Sequence, residues 1–459
     1  MSLLDCFLNI LSDWKSAFPS LPSYRRAIHL ALASVCAVGR ACISRLIGFL
    51  GMDQKDWSAH YKLFSRTTWS ELTLFDPIVK KALPLIDEPY VSVAFDDTKL
   101  KKTGKKIKTA FYQRDPMSPP FHVNLIFGLR FLQGSLLMPM YMENDQPPRA
   151  LPIVFKEVPV IKKPGKHATE EETAEYESQK KKVNLSTYFV KSLTETRNTL
   201  DRLGGKEKTL IATVDNGYCN RTCMGTPIDR TCILARARKS ARLCFRATGD
   251  TRKVYGDYKF TPEDVRKDDS KPWKITQIYH GGKWREVRYK EVKNVLWQTG
   301  TKLQPLRLIV VAPIPYRLTK TGRLYYREPA YLLCQATEIS TNALIQKYFD
   351  RWQIEVNHRE EKDTLGVGQA QVRAGNSVPR QPAFVVAAYS AMLLAGIICF
   401  EDKRGNSFIE LPKWRRHAKR PSCLDLMQLL RKELLDKQKD GVLNNLGIDL
   451  IKAVLKSAA

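Results

Sequence analysis

Four residues that could bind a metal ion and phosphate lie on one side of a helix predicted at residues 345–362. At about 100° per residue, the side chains that fall within about 60° of one another are those of Tyr348, Arg351, Glu355 and Lys362. The apolar residues of the helix lie directly beside this stripe, whereas solvated charges normally lie opposite the apolar face. The pattern therefore predicts a carboxylate and two cations in a cleft at the edge of a core. A surface helix whose charges happen to align is the alternative.

Two strands are needed to bring further acids to such a cleft. The apolar run 90–95 leads into Asp96 and Asp97, and the apolar run 210–214 leads into Asp215. Both runs are rich in β-branched or aromatic residues, which predicts buried strands whose carboxyl ends open onto a site. At both positions the alternative is an ordinary turn, because aspartate commonly begins turns.

The spacing Tyr-x2-Arg-x3-Glu-x6-Lys resembles the signature helix of the YREK group of bacterial insertion-sequence transposases at all four positions. In that group the glutamate completes an Asp-Asp-Glu (DDE) triad. The resemblance therefore implies Asp97, Asp215 and Glu355 as catalytic residues and metal ligands. It favours Asp97 because this residue directly precedes Thr98, and Asp96 remains the alternative first acid. The likeness is specific at the helix, supportive at both aspartates and loose elsewhere.

The resemblance implies an α/β fold with an RNase H-like catalytic core, a mixed sheet with flanking helices, interrupted by a β-rich insertion. It implies a metal-dependent endonuclease and strand transferase that holds two Mg²⁺ or Mn²⁺ ions. The expected partners are double-stranded DNA, as terminal inverted repeats and target, and a second copy of the chain on paired ends. A nuclease or resolvase that cuts without joining, and a DNA-binding regulator without catalysis, are the alternatives.

Composition agrees with a nucleic-acid partner. The 459 residues carry 75 Lys and Arg against 47 Asp and Glu, a formal charge of +28, which favours a polyanionic partner over a membrane surface. The start of the chain lacks a basic segment before its apolar run, so we expect a bacterial cytoplasmic protein that joins the nucleoid when bound to DNA. The ten cysteines lack a CxxC pair and are predicted to be reduced thiols. The uncharged run 381–400 is long enough to span a membrane, but its many Ala, Gly and Ser residues and the basic background of the chain favour a buried helix.

The patterning predicts five segments. These are a helical DNA-binding domain at 1–85, the first part of the core at 86–245, the insertion at 246–334, the second part of the core at 335–405 and a basic helical tail at 406–459. Within the core, separate strands are expected at 121–132 and 136–142, and a solvated helix or a linker at 162–182.

Several cations and two aromatic residues are predicted to contact DNA. Tyr348, Arg351 and Lys362 would hold phosphates beside the acid cluster. Arg40 and Arg45 would face DNA from the second helix of a helix-turn-helix, although two ordinary helices joined by a glycine turn give the same pattern. The other candidates are the basic segment with Lys101, Lys102, Lys105 and Lys106, otherwise a solvated loop, and Trp297 as a base-stacking residue, otherwise part of a core.

Overall fold

One large mixed sheet forms the centre of the protein, and helices precede and follow it along the chain. The computed structural model describes residues 2–54, 57–115, 118–119, 121–139, 148–249, 252–319, 321–336, 338–400 and 420–439. Its α/β class and its helical amino-terminal region confirm the coarse fold prediction. The predicted tail lies largely outside the described residues.

The strands are β1 (Tyr90–Lys101), β2 (Phe111–Arg114), β3 (Leu125–Met138), β4 (Arg149–Glu157), β5 (Thr209–Val214), β6 (Thr231–Arg236), β7 (Leu243–Arg246), β8 (Tyr255–Phe260), β9 (Lys274–His280), β10 (Lys283–Val295), β11 (Leu306–Val311), β12 (Pro315–Arg317), β13 (Leu324–Tyr326) and β14 (Ala330–Cys334). The α-helices are α1 (Leu3–Ser12), α2 (Leu21–Cys36), α3 (Ile43–Phe49), α4 (Ser58–Ser65), α5 (Asp76–Ala82), α6 (Glu170–Lys182), α7 (Leu185–Arg202), α8 (Arg221–Met224), α9 (Pro262–Lys267), α10 (Thr341–Asp350), α11 (Trp352–Arg359), α12 (Ser377–Phe400) and α13 (Cys423–Lys439).

The strand order in the central sheet is β2-β3-β1-β5-β6-β14-β11-β10-β9, and β4 also pairs with β3. Strands β1, β5 and β6 are parallel to one another, whereas β1, β3 and β4 form an antiparallel meander. Buried apolar residues fill both faces of the parallel strands, as expected where helices cover both sides of a sheet. Strand β1 therefore lies in the interior of the sheet, between β3 and β5.

Strand β3 replaces the two strands predicted at 121–132 and 136–142, of which 140–142 lies outside the described residues. The chain stays extended through Gly134, where a Cβ atom would lie 2.7 Å from the ring of Phe95 on β1. The glycine therefore serves close strand packing and does not mark a turn. The predicted break is wrong for this reason.

The region 246–334 is rich in strands, but it does not form a sheet of its own. Strands β14, β11, β10 and β9 extend the central sheet beyond β6, while β7 with β8 and β12 with β13 form two separate hairpins. Helix α6 has no buried residue, so the charge-dense segment around it forms the solvated helix that the sequence allowed.

The amino-terminal helices share one apolar core with the sheet and with the last helices. Helix α12 is long and apolar enough to cross a membrane, but 83% of its most apolar stretch is buried in the protein. Trp14 packs on Phe384 of this helix with ring centroids 5.5 Å apart. The alternative favoured by the sequence, a buried core helix, is therefore confirmed.

Helix α1 is also attached to the carboxyl-terminal part of the chain. The backbone amides of Leu3 and Leu4 donate to the carboxylate of Glu433 on α13, at 3.2 and 2.7 Å. Cys6 and Cys399 form a disulfide between α1 and the end of α12, with Cα atoms 6.8 Å apart, and the other eight cysteines are free. The prediction of ten reduced thiols is wrong for this pair.

Candidate functional site

Asp96 and Asp215 lie side by side where β5 ends. Strand β1 itself continues to Lys101, so Asp96 and Asp97 lie within this strand and not at its carboxyl end as predicted. Phe95 of β1 is the register partner of Val214 of β5 in a parallel pair, and the next residue on each strand is Asp96 or Asp215. Asp215 keeps an extended conformation, with φ −84° and ψ 178°. These two aspartates therefore lie next to each other at the level where β5 ends.

Strand alternation decides which face each acid occupies. Ala94 packs with Ile354 of α11 in one small cluster, whereas the ring of Phe95 packs edge-on against Phe189 of α7, with centroids 5.3 Å apart. Successive side chains of a strand point to opposite faces. Asp96 thus shares the face of Ala94, towards α11, and Asp97 shares the face of Phe95.

Asp215 faces the same way as Asp96. It has the strand parity of Ile211, which belongs to the cluster that contains Leu344 and Ile345 of α10. Helices α10 and α11 therefore cover the face on which both acids emerge.

The predicted 345–362 helix is present with two local departures. Helices α10 and α11 meet at Arg351, which keeps helical dihedrals of φ −50° and ψ −31°. A π-helical turn at Glu360–Thr364 follows α11 and contains Lys362. Ser340 is the N-cap of helix α10, and its side chain accepts a hydrogen bond from the amide of Ala343. The π turn rotates Lys362 away from the position that regular helical spacing predicts.

Arg351 links two of the acids. Its Nη1 atom lies 3.9 Å from Oδ2 of Asp96, and its Nη2 atom lies 3.4 Å from Oε1 of Glu355, one turn later. The guanidinium is largely buried, and its Nε and Nη1 atoms have no hydrogen-bond partner among the described residues. The structure thus brings Asp96, Glu355 and a cation with spare donors together.

Electrostatic coupling supports the same grouping. Burial raises the pKa of the Asp96 carboxyl to about 7, against the opposing effect of the Arg351 guanidinium, and the carboxylates of Asp97 and Glu355 add to the rise. Burial also raises the pKa of Glu355, where Arg351 opposes the shift and Asp215 adds to it. The carboxylates therefore concentrate negative charge between the central strands and α11.

Asp97 has a different set of partners. Its carboxylate accepts a hydrogen bond at 2.8 Å from Nε of Arg130 on β3 and one at 3.5 Å from the hydroxyl of Tyr218. Burial raises the pKa of Tyr218 well above its ordinary value, and the charge of Asp97 adds to this effect. Arg130 and Tyr218 were not predicted from the sequence. Together they hold Asp97 on the face away from α11.

Lys362 and Tyr348 interact with different members of the acid cluster. Burial lowers the pKa of Lys362, while neighbouring carboxylates, including those of Asp96 and Asp97, oppose the shift. Burial raises the pKa of Tyr348, and the charge of Asp215 contributes. Both predicted phosphate-binding residues therefore lie in the field of the acids.

The tyrosine opens into a cleft of about 600 Å³ between α10, α11 and the β12–β13 hairpin. This cleft is also lined by Arg236, Tyr326, Arg327 and Trp352. Cations and aromatic rings thus line a cleft beside the acid cluster, along one side of α10 and α11.

Lysines after β1 divide into two kinds. Lys101, Lys105 and Lys106 are exposed. Lys102 is 4% exposed, and its ammonium donates to the carbonyl oxygens of Gly368 and Ala370 at 2.8 and 2.7 Å. Burial lowers its pKa to about 8. Its prediction as a DNA-binding residue is wrong, because this ammonium is used inside the protein.

The two amino-terminal arginines also differ from each other. Arg40 is exposed and precedes α3, which begins at Ile43, so it lies in the turn and not in the second helix as predicted. Arg45 lies on α3, but its Nε atom donates to the carbonyl oxygen of Val38 at 3.2 Å. Recognition of DNA by this helix pair stays a prediction.

Trp297 is half-buried and packs against the main apolar core. A Cβ atom on Gly300 would lie 2.1 Å from its ring, so the indole rests directly on that backbone. These contacts favour the core-packing alternative over the base-stacking prediction.

Together these features define an α/β protein with an acid cluster and flanking cations where the parallel pairing of β1 and β5 ends. Among the described residues, no three Asp, Glu, His or Cys side chains are close enough to form a ready-made metal site. Comparison of the chain with protein-family models and with curated proteins found no match.

Proposed function

We propose that this protein is a DDE-type DNA transposase whose acid triad is Asp96, Asp215 and Glu355. The observation that carries the proposal is the shared face of these three acids, which two adjacent parallel strands and the predicted signature helix supply from distant parts of the sequence. Asp96 takes the place that the sequence resemblance gave to Asp97. The neighbouring Asp97 becomes a group that positions Arg130 and Tyr218.

The catalytic core is proposed to be RNase H-like. An antiparallel meander of β1, β3 and β4, followed by β5 and β6 parallel to β1, gives the spatial order β4-β3-β1-β5-β6. Three consecutive antiparallel strands that open a mixed sheet support this proposal, and the two aspartates lie on, or directly after, its adjacent parallel strands. In this proposal β7 to β14 form an insertion between the second aspartate and the glutamate, and four of these strands, β9, β10, β11 and β14, lengthen the same sheet.

The acid cluster fits divalent metal ions by its donor chemistry. Carboxylate oxygens are hard ligands of the kind that Mg²⁺ and Mn²⁺ prefer. Burial raises the pKa of Asp96 and of Glu355, and the carboxylate of Glu355 adds to the rise at Asp96 while that of Asp215 adds to the rise at Glu355. In such a poorly hydrated place a cation stabilises the ionised forms. Two ions held there would activate a water or 3′-hydroxyl nucleophile and stabilise the leaving oxygen.

The remaining side chains would hold the scissile strand. Arg351 has buried donors without a protein acceptor, which suits a phosphate oxygen in bidentate geometry. Lys362 and Tyr348 would contact phosphates on either side of it. These groups position the strand and take no proton, because an arginine remains charged throughout.

DNA is the proposed partner, as terminal inverted repeats and as target, with the chain acting as a homodimer on paired ends in the bacterial cytoplasm. The charge of +28 supports this choice, because clustered Lys and Arg bind the phosphate backbone whatever its sequence. The exposed side chains of Lys101, Lys105 and Lys106 continue this basic surface beyond the first acid.

Incubation of the purified protein with Mn²⁺ or Mg²⁺ and an end-labelled duplex tests the proposal. The duplex should be taken from the DNA that flanks the gene, where terminal inverted repeats would lie. A transposase releases cleaved ends and joins them to a second duplex. Cleavage without joining would identify a nuclease or resolvase, and binding without cleavage would identify an inert regulator.

A further inference from the structure

The loop at residues 366–371, called here the linking loop, connects three parts of the protein. It follows the π turn that contains Lys362, and the amide of Val367 donates back to the carbonyl oxygen of Glu361 at 2.7 Å. Gly366 and Gly368 have φ angles of +64° and +96°, which side chains with a Cβ atom rarely adopt. The path of the loop is therefore fixed directly at the end of the signature helix.

The first connection joins the linking loop to the strand that carries Asp96. The buried ammonium of Lys102 donates to the carbonyl oxygens of Gly368 and Ala370, and Oε1 of Gln371 accepts from the amide of Thr103 at 3.0 Å. A buried ammonium is costly unless its donors are used. The end of β1 and the linking loop are thus held together by bonds that cannot be lost cheaply.

The second connection joins the linking loop to the turn between α2 and α3. The backbone amide of Ala41 donates to Oε1 of Gln369 at 2.8 Å. A Cβ atom on Gly366 would lie 2.7 Å from Cβ of Ala41, so loop and turn are also in close steric contact. The exposed Arg40, a predicted DNA contact, immediately precedes Ala41 in this turn.

We propose that Gln369 is a positioning residue that couples DNA bound at the Arg40 turn to the placement of Lys362 in the acid cluster. This inference rests on the proposed DNA-binding function. A phosphate contact at Arg40 fixes the turn, the turn fixes Gln369 and the linking loop, and the loop fixes the π turn with Lys362. Coupling of this kind is reciprocal, so each contact strengthens the other.

A double-variant cycle in DNA affinity measures this coupling. The probe is the duplex from the DNA that flanks the gene, and its dissociation constant is measured for Arg40→Ala, Lys362→Ala and the double variant. In the otherwise native protein, the combined loss of affinity should differ by about fivefold or more from the product of the two single losses. In a Gln369→Ala background, the two losses should simply multiply.

Two further variants separate coupling from stability. Gln369→Glu retains an acceptor for the amide of Ala41 and should retain the coupling. Asn376→Ala removes a different amide, which donates to the carbonyl oxygen of Ser65 on α4 at 3.5 Å, and should also leave the coupling in place. Thermal melting of each variant checks that the fold persists.

Each outcome distinguishes the inference from the proposed function. The inference would be overturned if the combined loss of affinity departs equally from the product of the single losses with and without Gln369. It would also be overturned if the losses simply multiply in the otherwise native protein. The proposed DNA binding would stand in both cases. Coupling without metal-dependent cleavage would retain the inference and reject the transposase. A protein that does not bind the duplex would reject both.

Discussion

Phe95 and Val214 are register partners across the parallel pair of β1 and β5, so Asp96 and Asp215 follow at the same level of the sheet. A single strand cannot place two acids this close together on one face, because its side chains on the same face are two residues apart. Glu355, on α11, lies on the same face of the sheet as these two acids. Three predictions concern this site and its cations, and two concern the protein around it.

Replacement of Asp96, Asp215 or Glu355 by its amide should abolish metal-dependent cleavage. We expect Asp96→Asn, Asp215→Asn and Glu355→Gln each to lower the single-turnover rate by about a thousandfold or more, since residues that act as a unit are lost together. Duplex affinity should change little. Gel-based cleavage assays and fluorescence anisotropy give the two measurements.

Asp97→Asn is the matched control for Asp96→Asn. Because Asp97 is bonded to Arg130 and Tyr218, its loss should disturb strand geometry and cost at most about a hundredfold in rate. If Asp97→Asn is inactive while Asp96→Asn still cleaves, the assignment from strand parity is incorrect.

Arg351→Ala and Lys362→Ala should slow cleavage and joining strongly with little change in metal binding, because both cations are proposed to hold phosphates. Arg351→Lys should restore little activity, since an ammonium cannot make a planar bidentate contact. Single-turnover rates across a Mn²⁺ titration test this. Recovery of either alanine variant at high Mn²⁺ would instead assign that residue to metal occupancy.

The exposed and buried lysines after β1 should respond differently to substitution. Lys102→Met leaves two carbonyl oxygens without their donor and should lower the free energy of unfolding by about 1–3 kcal/mol. Lys105→Met should leave stability unchanged and reduce the salt dependence of DNA binding by about one phosphate contact. Urea titration and affinity at several salt concentrations distinguish the two effects. Equal stability losses would contradict the assignment.

Glu361 should make the protein less stable as pH rises. This buried carboxyl has its pKa raised by burial from 4.5 to about 8, so it stays protonated in the folded protein while the unfolded chain ionises. Its stabilising contribution is complete below pH 4.5 and is lost as pH rises to about 8.

Glu361→Gln removes this titration and tests it. The variant should gain stability relative to the native protein as pH rises through that window, by an amount on the order of a few kcal/mol, and the difference should level off above it. Urea unfolding of both proteins at pH values across the window gives the measurement. A difference that does not change with pH would show that the carboxyl is ionised in the folded state.

Much of the architecture was readable from local patterns. The strands before both acids, the helix with Arg351 and Glu355, and the burial of the uncharged helix α12 follow from hydrophobic periodicity. Strand alternation also favours Asp96 as the first acid. This residue lies on the same face of β1 as the small side chains of Ser92 and Ala94, where a helix can pack closely.

Other features depend on contacts that no local pattern records. Lys102 reads as one more cation of a basic segment, and only the distant carbonyl groups of Gly368 and Ala370 give it an internal role. The sequence predicts two separate strands on either side of Gly134, whereas the close approach of the Phe95 ring on another strand explains a glycine within one continuous strand. The partners of Asp97 also come from separate segments. Such long-range pairs are set by tertiary packing, which overrides local propensity.

The bond between the start of α1 and Glu433 joins groups 430 residues apart along the chain. At translation rates of ~5–20 residues per second, the first helix is synthesised roughly 20 to 90 seconds before the carboxylate of Glu433 exists. During that time its apolar side also lacks the cover of α12. The amino-terminal helices therefore cannot complete their packing before α12 and α13 are made, and a prematurely terminated polypeptide would leave them open to chaperones and proteases.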